Sequence, residues 1–187
     1  AYVHIPFCHR RCFYCDFAVI PLGNKVETLQ GYGSKTVKEY LHFLYKEILS
    51  IKHKSSLSTI YVGGGTPSIL DPQQIKQLID LFKENYGVDY GAEITMEVDP
   101  ASFNQDDLYG FINAGINRFS LGVQSFNNQI LQKSGRRHLR EDAEKSCLWL
   151  KKVYSAGLIK SWSLDLIQNL PLSGLREWKE DLKKAIT

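Results

Sequence analysis

The stretch that decides the fold of this protein runs from Tyr2 to Phe17 and reads Tyr-Val-His-Ile-Pro-Phe-Cys-His-Arg-Arg-Cys-Phe-Tyr-Cys-Asp-Phe. Its β-branched and apolar beginning, Tyr2 to Ile5, predicts a strand, and Pro6 ends that strand because proline has no backbone N–H to donate. The loop that follows holds three of the four cysteines of the chain, Cys8, Cys12 and Cys15. Three thiols on one loop are an incomplete ligand set for a tetrahedral metal ion.

The spacing C-x3-C-x2-C limits the chemistry of these thiols. A disulfide framework needs pairs, and three clustered cysteines leave one over. A structural zinc ion needs four ligands, and His4 or His9 could supply the last one. An iron–sulfur cluster is also held by thiolates, and three of them leave one iron open for a small ligand. Tyr14, next to the third cysteine, would shield one face of such a cluster from water.

Composition and charge limit the class of protein and its partners. A chain of 187 residues with 43% hydrophobic residues can bury a core, so residues 1–187 are expected to form one globular domain. The formal net charge of +3, with basic residues scattered among acidic ones, does not indicate a nucleic-acid partner. No apolar run approaches the ~18 residues of a membrane span. Clustered cysteines suit a reducing compartment, so we expect the cytoplasm, with an organelle stroma or matrix as the alternative.

Five short apolar segments predict strands, and each precedes a segment with helical periodicity. The predicted strands are Tyr2–Ile5, Thr59–Val62, Glu93–Val98, Arg118–Val123 and Ser161–Ile167. Five consecutive strand–helix units imply an α/β fold whose parallel strands are joined by right-handed crossovers. A Rossmann-like open sheet and a (β/α) barrel both fit this order of elements.

Local residues also predict helix boundaries and one long loop. Asp71 and Asn104 are placed to cap two helices, and Gln74 would complete a capping box with Asp71. The segment Val19–Ser34 has glycines and a proline without periodicity, which predicts a loop. A final helix is expected to begin near Ser173. Its predicted buried face consists of Leu175, Trp178, Leu182, Ala185 and Ile186.

Glycine and polar residues collect where the predicted strands end. The second strand runs into residues 63–67, Gly-Gly-Gly-Thr-Pro, and the later strands end close to Glu97, Gln124 and Asp165. In a parallel barrel the carboxyl ends of the strands form the working face. This distribution therefore favours a barrel with one convergent site at that face.

At these residues the chain resembles the radical S-adenosylmethionine (SAM) superfamily, whose signature is C-x3-C-x2-C. The wider Tyr2–Phe17 string resembles the oxygen-independent coproporphyrinogen III oxidase branch, and more closely its HemW-type heme chaperones. Matching blocks follow in order: Gly-Gly-Gly-Thr-Pro-Ser, Glu-Val-Asp-Pro, Gly-Val-Gln-Ser-Phe, Gly-Arg-Arg-His and Leu-Asp-Leu-Ile. The resemblance implies a radical SAM partial (β/α) barrel of six units, five of them visible here. It therefore predicts that the chain is a fragment lacking a C-terminal domain.

The resemblance also implies the cofactors. A 4Fe–4S cluster on Cys8, Cys12 and Cys15 would leave one iron for the amine and carboxylate of SAM. An electron from a donor protein, passed through the cluster, would cleave SAM to methionine and a 5′-deoxyadenosyl radical. Heme or a porphyrinogen is the further ligand that the branch implies, and a heme-acceptor protein is the further partner.

Site residues follow from the matched motifs, and each has an alternative explanation. Gly64, Gly65 and Thr66 match the element that holds the methionyl amine of SAM, although glycines after a strand often only form a turn. Glu97 matches a glutamate of the family whose carboxylate accepts hydrogen bonds from the ribose hydroxyls of SAM. Its alternative is a buried structural carboxylate paired with Arg118.

The remaining candidates lie on the first, fourth and fifth units. Gln124 would bind polar edges of SAM or only backbone groups, and Arg136 would face the SAM carboxylate, while Arg137 is expected to face solvent. Asp165 matches the Asp-Leu-Ile segment of the fifth strand, or pairs with a lysine. Tyr2 aligns with a tyrosine near the SAM site, or is a half-buried strand aromatic.

Three further residues are expected to lie outside the site. Asp99 is interpreted as a turn residue before Pro100, and Cys147 as a core residue in an apolar helical stripe. His138 shows no ligand spacing with the cysteines and is expected at the surface or at a helix end.

Two departures from the branch bear on function. The oxidases carry an additional cysteine shortly after the third one, where this chain has Asp16 and Phe17, the pattern of the HemW-type chaperones. Residues 168–171, Gln-Asn-Leu-Pro, stand where the family usually has Tyr-Gly-Leu-Pro. The resemblance thus leaves two functions open: a heme chaperone that keeps the cluster and SAM, or an enzyme that oxidises coproporphyrinogen III. A zinc-stabilised module without catalysis is the third hypothesis.

Overall fold

The fold is built on a parallel sheet, seen in a computed structural model that describes residues 1–23, 32–51 and 55–186. The strands are β1 Tyr2–Ile5, β2 Phe7–Cys8, β3 Ile20–Pro21, β4 Leu57–Gly64, β5 Val88–Val98, β6 Arg118–Gln124 and β7 Ser161–Leu166. The helices are α1 Tyr32–Ser50, α2 Pro72–Asn85, α3 Gln105–Asn113, α4 Asn128–Lys133, α5 Arg140–Ser155 and α6 Leu175–Ile186, with a short 3-10 helix at Pro67–Ile69. No helix among these is both long and apolar enough to cross a membrane.

The order of the strands decides between the two architectures that the sequence leaves open. The main sheet has the order β1-β4-β5-β6-β7, and every pair in it is parallel. A doubly wound sheet reverses its strand order at a switch point, whereas strands that pair in chain order curl toward a barrel. The predicted (β/α) barrel arrangement with five strand–helix units is therefore confirmed.

The two faces of this sheet differ in polarity. On β6, Phe119, Leu121 and Val123 are fully buried under the helices, whereas the residues between them are polar or glycine. The register places Glu97, Ser120 and Ser163 side by side on the other face. Parallel strands covered on both faces are usually apolar throughout. A polar face here indicates that this side of the sheet holds a ligand.

The predicted helix starts are confirmed. Asp71 accepts from the backbone N–H of Gln74 at 2.9 Å, and the Gln74 side chain accepts from the backbone N–H of Asp71 at 3.1 Å. Asn104 caps α3 through the backbone N–H groups of Asp106 and Asp107. Each cap supplies partners for N–H groups that have none within the helix.

Two predictions need correction. The segment Val19–Ser34 is not one loop, because β3 pairs with β2 and α1 begins at Tyr32; residues 24–31 of the predicted loop lie outside the described residues. On α6, Leu175 and Ile186 are 67% and 85% exposed. Asp181 is buried instead and accepts from the backbone N–H of Phe126 at 2.8 Å. This hydrogen bond joins α6 to the segment that follows β6. Leu182, also placed on the predicted buried face, is 42% exposed.

The turn after β7 keeps its shape without the glycine of the family pattern. Asn169 stands at that position and has φ of 62°, in the left-handed region. Asparagine is among the few non-glycine residues that adopt this conformation at modest cost. The departure at residues 168–171 is therefore compatible with a tight turn.

Candidate functional site

A pocket of about 500 Å³ opens at the carboxyl ends of the parallel strands. Its size falls in the range of small-molecule sites. The predicted site residues that line it are Cys8, Cys12, Cys15, Tyr14, Gly64, Gly65, Thr66, Glu97, Gln124, Arg136 and Asp165. Folding thus brings eleven of the twelve predicted residues to one cavity. Tyr2 is the exception, because it lies outside the pocket wall.

Backbone hydrogen bonds hold the cysteine loop at both of its ends. The backbone N–H of Leu22 donates to the Cys8 carbonyl at 2.8 Å, next to the β2–β3 pairing. Within the loop, the backbone N–H of Cys15 donates to the Cys12 carbonyl at 3.2 Å. At the far side, the backbone N–H of Phe13 donates to the Ser134 carbonyl at 3.0 Å. These backbone hydrogen bonds therefore hold the loop across the mouth of the barrel.

The glycine segment approaches this loop so closely that position 65 has no room for a side chain. The backbone N–H of Gly65 donates to the Ile5 carbonyl at 2.8 Å, and that of Thr66 donates to the Phe7 carbonyl at 2.8 Å. A Cβ at Gly65 would lie 2.6 Å from the Phe7 oxygen and 3.0 Å from the Cys8 sulfur. The Thr66 hydroxyl donates to that sulfur at 3.4 Å. The segment therefore supports the cysteine loop as well as lining the pocket.

The three thiols suit a cluster better than a single ion. Within the described ranges, no group of three or more His, Cys, Asp or Glu side chains converges on the position of one metal ion. A zinc ion requires such convergence, whereas in a cluster each thiolate binds a different iron. Burial raises the pKa of the Cys8 thiol, and the neighbouring Cys15 and Cys12 raise it further. Bound iron would compensate for that cost by stabilising the thiolate.

Glu97 lies at the end of β5 and faces the pocket with both of its oxygens. Oε1 accepts from the Tyr61 hydroxyl at 2.7 Å, and Oε2 accepts from the backbone N–H of Gly64 at 3.0 Å. Each carboxylate oxygen has two acceptor sites, so one on each oxygen remains for a ligand. Arg118 pairs instead with Glu93, at 4.0 Å. The alternative pairing of Glu97 with Arg118 is therefore absent from the structure.

Arg136 sits deep in the pocket wall and pairs with Asp99, which the sequence analysis placed in a turn only. The two side chains are 11% and 20% exposed, and Nη2 of Arg136 also donates to the Gly122 carbonyl at 2.7 Å. Burial alone would lower the pKa of the guanidinium, but Asp99, Tyr14 and Cys12 outweigh it and the pKa is raised. Arg136 is therefore a cation throughout the physiological range.

His138 is buried, which corrects its predicted place at the surface. It is 1% exposed, and its Nε2 lies 3.0 Å from the Val123 carbonyl, so this nitrogen carries the hydrogen. Its Nδ1 then accepts from Nη2 of Arg136 at 3.2 Å. Burial lowers the pKa of His138, and the Arg136 charge also lowers it, although Asp99 acts in the opposite direction. The imidazole is therefore neutral, and the hydrogen bond that it accepts helps to hold the Arg136 guanidinium in place.

A pH dependence of stability follows from this neutral imidazole. Below pH 6.5, the ordinary pKa of histidine, His138 is protonated in the unfolded chain but stays neutral in the folded protein until the pH reaches its lowered pKa. Unfolding should therefore become more favourable as the pH falls from about 6.5 toward the lowered folded-state pKa, by at most about 1.4 kcal/mol per pH unit. His138→Gln should show a smaller loss of unfolding free energy between about pH 7.5 and pH 5.5 than the parent protein. Denaturant titrations at the two pH values measure this difference.

The control for this measurement is His42→Gln, since His42 is exposed on α1. That variant should keep the pH dependence of the parent protein. An unchanged pH dependence in His138→Gln would contradict the assignment of a buried neutral imidazole.

Gln124 and Asp165 form the side of the pocket opposite the cysteines. Gln124 has φ of 67° next to a register irregularity between β6 and β7, and its side-chain nitrogen packs above Gly122. Asp165 is exposed to the pocket and accepts from the Ser120 hydroxyl at 3.0 Å. The side chains of Gln124 and Asp165 therefore offer hydrogen-bonding groups to a polar ligand in the pocket.

Three tyrosines surround the polar face in different ways. Tyr2 is 61% exposed, stacks on Tyr61 with ring centroids 6.0 Å apart, and does not line the pocket. Tyr14 lines the pocket, with its hydroxyl 3.5 Å from Nη1 of Arg136. Burial raises the pKa of Tyr14 and of Tyr61, so both remain neutral phenols.

Sequence reasoning missed Tyr61, Asp99 and Ser120. Asp99 follows Glu97 by two positions, so strand alternation places both on one face. That alternation was the available signal for Asp99. For Tyr61 and Ser120 a similar signal was present, because each is a polar residue between two buried apolar residues of its strand.

Comparisons with known proteins agree with this geometry. The sequence model of the Radical SAM superfamily matches residues 2–166. The heme chaperone HemW of Synechocystis sp. is 40% identical over 187 residues, which are 100% of this chain and 43% of that protein. HemW of Escherichia coli is 34% identical, over 99% of this chain and 46% of that protein.

A solved structure is also similar to this chain. The coproporphyrinogen III oxidase HemN from Escherichia coli, a radical SAM enzyme, superposes with a TM-score of 0.82 at 33% identity. The match covers 98% of this chain and 40% of HemN. The chain thus spans less than half the length of these relatives.

Proposed function

Because this chain belongs to the radical SAM superfamily, we propose that it is the part of a heme chaperone that holds the 4Fe–4S cluster and SAM. One observation carries the proposal: the three thiols and the polar strand ends face one pocket, and Asp16 follows the third cysteine directly. The oxidase branch has an additional cysteine shortly after that position. The similarity to HemW proteins along the whole of this chain supports the same reading.

Each wall of the pocket has a separate task in this function. Cys8, Cys12 and Cys15 would hold the cluster, and the loaded cluster would bind SAM. The reduced cluster and SAM together supply one-electron chemistry, the reductive cleavage of SAM. The protein contributes orientation and exclusion of water. Tyr14 would cover the cluster from one side, since it lies in the pocket wall and its hydroxyl contacts Arg136.

The polar strand ends would orient SAM. Glu97 offers one free acceptor site on each oxygen to the ribose hydroxyls, since Tyr61 and Gly64 take only the other two. Gln124 and Asp165 line the same pocket and would contact the nucleoside of SAM. Arg136 also lines the pocket, and its guanidinium would donate to the SAM carboxylate.

The wider setting of the protein forms part of the same proposal. Residues 1–187 would form one radical SAM core domain. An electron donor reduces the cluster, and a heme-acceptor protein receives the heme. All four cysteines are free thiols, which fits a reducing compartment such as the cytoplasm, while an organelle stroma or matrix remains the alternative.

Oxidation of coproporphyrinogen III is the second candidate function, favoured by the structural likeness to HemN. The test is an anaerobic assay of the protein with SAM, dithionite and coproporphyrinogen III, together with a heme titration followed by absorbance. We expect the full-length protein to bind heme tightly and to form no protoporphyrinogen IX, whereas residues 1–187 alone should bind heme poorly. Cys8→Ala protein serves as the control for reaction without a cluster. Stoichiometric consumption of SAM with formation of protoporphyrinogen IX would establish the oxidase instead.

A further inference from the structure

The positively charged guanidinium of Arg136 lies next to Cys12, one of the three cysteines of the proposed cluster. Its Nη1 lies 3.7 Å from the sulfur of Cys12, and its side chain is only 11% exposed. Nη2 is held by three acceptors, the Asp99 carboxylate, the Gly122 carbonyl and Nδ1 of His138. Because Nη2 has two hydrogens for these three acceptors, it is fully occupied. The guanidinium is thereby locked in one orientation, with Nη1 directed at the sulfur.

Asp99 is itself fixed from two other sides. Its backbone N–H donates to the Ser68 hydroxyl at 3.0 Å, and its Oδ1 accepts from the backbone N–H of Ala101 at 3.0 Å. Only Oδ2 is left for Arg136. A carboxylate held by the turn in this way is a rigid support and a permanent counter-charge, not a mobile surface partner.

We propose that Arg136 and Asp99 set the reduction potential of the cluster, Arg136 by donating toward the Cys12 sulfur and Asp99 as the residue that positions and partly neutralises Arg136. The inference rests on the proposed function, because it requires a cluster on Cys12. Hydrogen bonds to the sulfurs and net local charge both tune the potential of iron–sulfur clusters. This task is separate from any contact of Arg136 with SAM, since it operates before SAM binds.

The two residues have opposite effects on the potential. Reduction adds one electron to the cluster and forms or breaks no bond, so nearby positive charge favours it. Asp99→Asn removes the counter-charge and leaves Arg136 unopposed, which should favour the reduced cluster. Arg136→Gln removes the cation and leaves Asp99 unopposed, which should favour the oxidised cluster. General damage to the fold would not separate the two variants by sign.

The experiment is an anaerobic redox titration of the reconstituted protein without SAM, with dithionite as reductant and EPR of the reduced cluster as readout. At a fixed potential, we expect the ratio of reduced to oxidised cluster to rise about tenfold in Asp99→Asn and to fall about tenfold in Arg136→Gln, a shift of about 59 mV for a one-electron couple. The double variant should lie between the two single variants. Asp106→Asn and Arg176→Gln, exposed residues outside the pocket, are the matched controls and should leave the ratio unchanged.

Shifts of the same sign, or no shift, in a protein whose parent forms a reducible cluster would overturn this inference and leave the proposed function intact. If Arg136→Gln loses its iron, the test rests on Asp99→Asn. An unchanged reduction potential in that variant would then overturn the inference. If the parent protein forms no cluster, the inference and the proposed function fail together.

Discussion

Replacement of Cys8, Cys12 or Cys15 by alanine is expected to abolish the iron–sulfur cluster entirely. The parent protein, reconstituted under anaerobic conditions, should bind about four irons per chain and show the visible absorption of a cubane cluster. Each thiolate would bind a different iron, so each substitution removes the protein ligand of one iron. Loss of one thiolate leaves two protein ligands, which do not hold a cluster exposed on one side. Iron analysis and absorbance spectra measure the effect.

Cys147→Ala is the matched control for these variants. Cys147 lies on α5, outside the pocket, and burial raises the pKa of its thiol to about 11. A thiol with such a pKa is a poor metal ligand, because the ligand is the thiolate. The variant should therefore keep its full iron content. Loss of iron in Cys147→Ala equal to that in the other three variants would refute the assignment of the cluster loop.

Replacement of Glu97 by glutamine should weaken SAM binding roughly ten- to a thousandfold without removing iron. The amide keeps the size of the side chain but replaces one acceptor oxygen by a donor. That donor would face either the Tyr61 hydroxyl or the backbone N–H of Gly64, so the glutamine must also lose one of these contacts. Calorimetry of SAM binding to the reconstituted protein measures the change, and iron analysis of the same sample verifies the cluster.

Glu93→Gln controls for the loss of one negative charge from β5. Glu93 lies on the same face of the strand, is 49% exposed and does not line the pocket. Its replacement should leave the affinity for SAM unchanged. Equal affinities of the Glu97→Gln and parent proteins would remove Glu97 from the SAM site and leave it a structural acceptor for Tyr61 and Gly64.

The sequence was informative wherever a residue acts through its chain neighbours. The capping box of Asp71 and Gln74 involves residues three positions apart, and the structure shows it as predicted. The cysteine loop is similar, since C-x3-C-x2-C brings three thiols together whatever the rest of the fold does. Strand ends were also predictable, because parallel strands in consecutive units place their carboxyl ends at one edge. These local rules, together with the family resemblance for residues such as Arg136, identified eleven residues that line the pocket.

Interactions between distant segments were decided only by the tertiary structure. Asp99 before Pro100 looked like a turn residue, and it does accept from the backbone N–H of Ala101, yet its second oxygen reaches Arg136, 37 positions away. His138 was predicted at the surface or at a helix end because it shows no ligand spacing with the cysteines, yet its Nε2 donates to the Val123 carbonyl, 15 positions away.

The composition of this chain and the spacing of its motifs therefore determined the class of fold, the cluster loop and the edge of the sheet that carries the site. The tertiary structure alone decided the strand order that distinguishes a barrel from a doubly wound sheet, and which polar groups are paired inside the pocket wall. The physical reason is the range of the interactions. Periodicity, caps and ligand spacing depend on residues a few positions apart, whereas burial of a charge such as Arg136 depends on a counter-charge from another strand–helix unit.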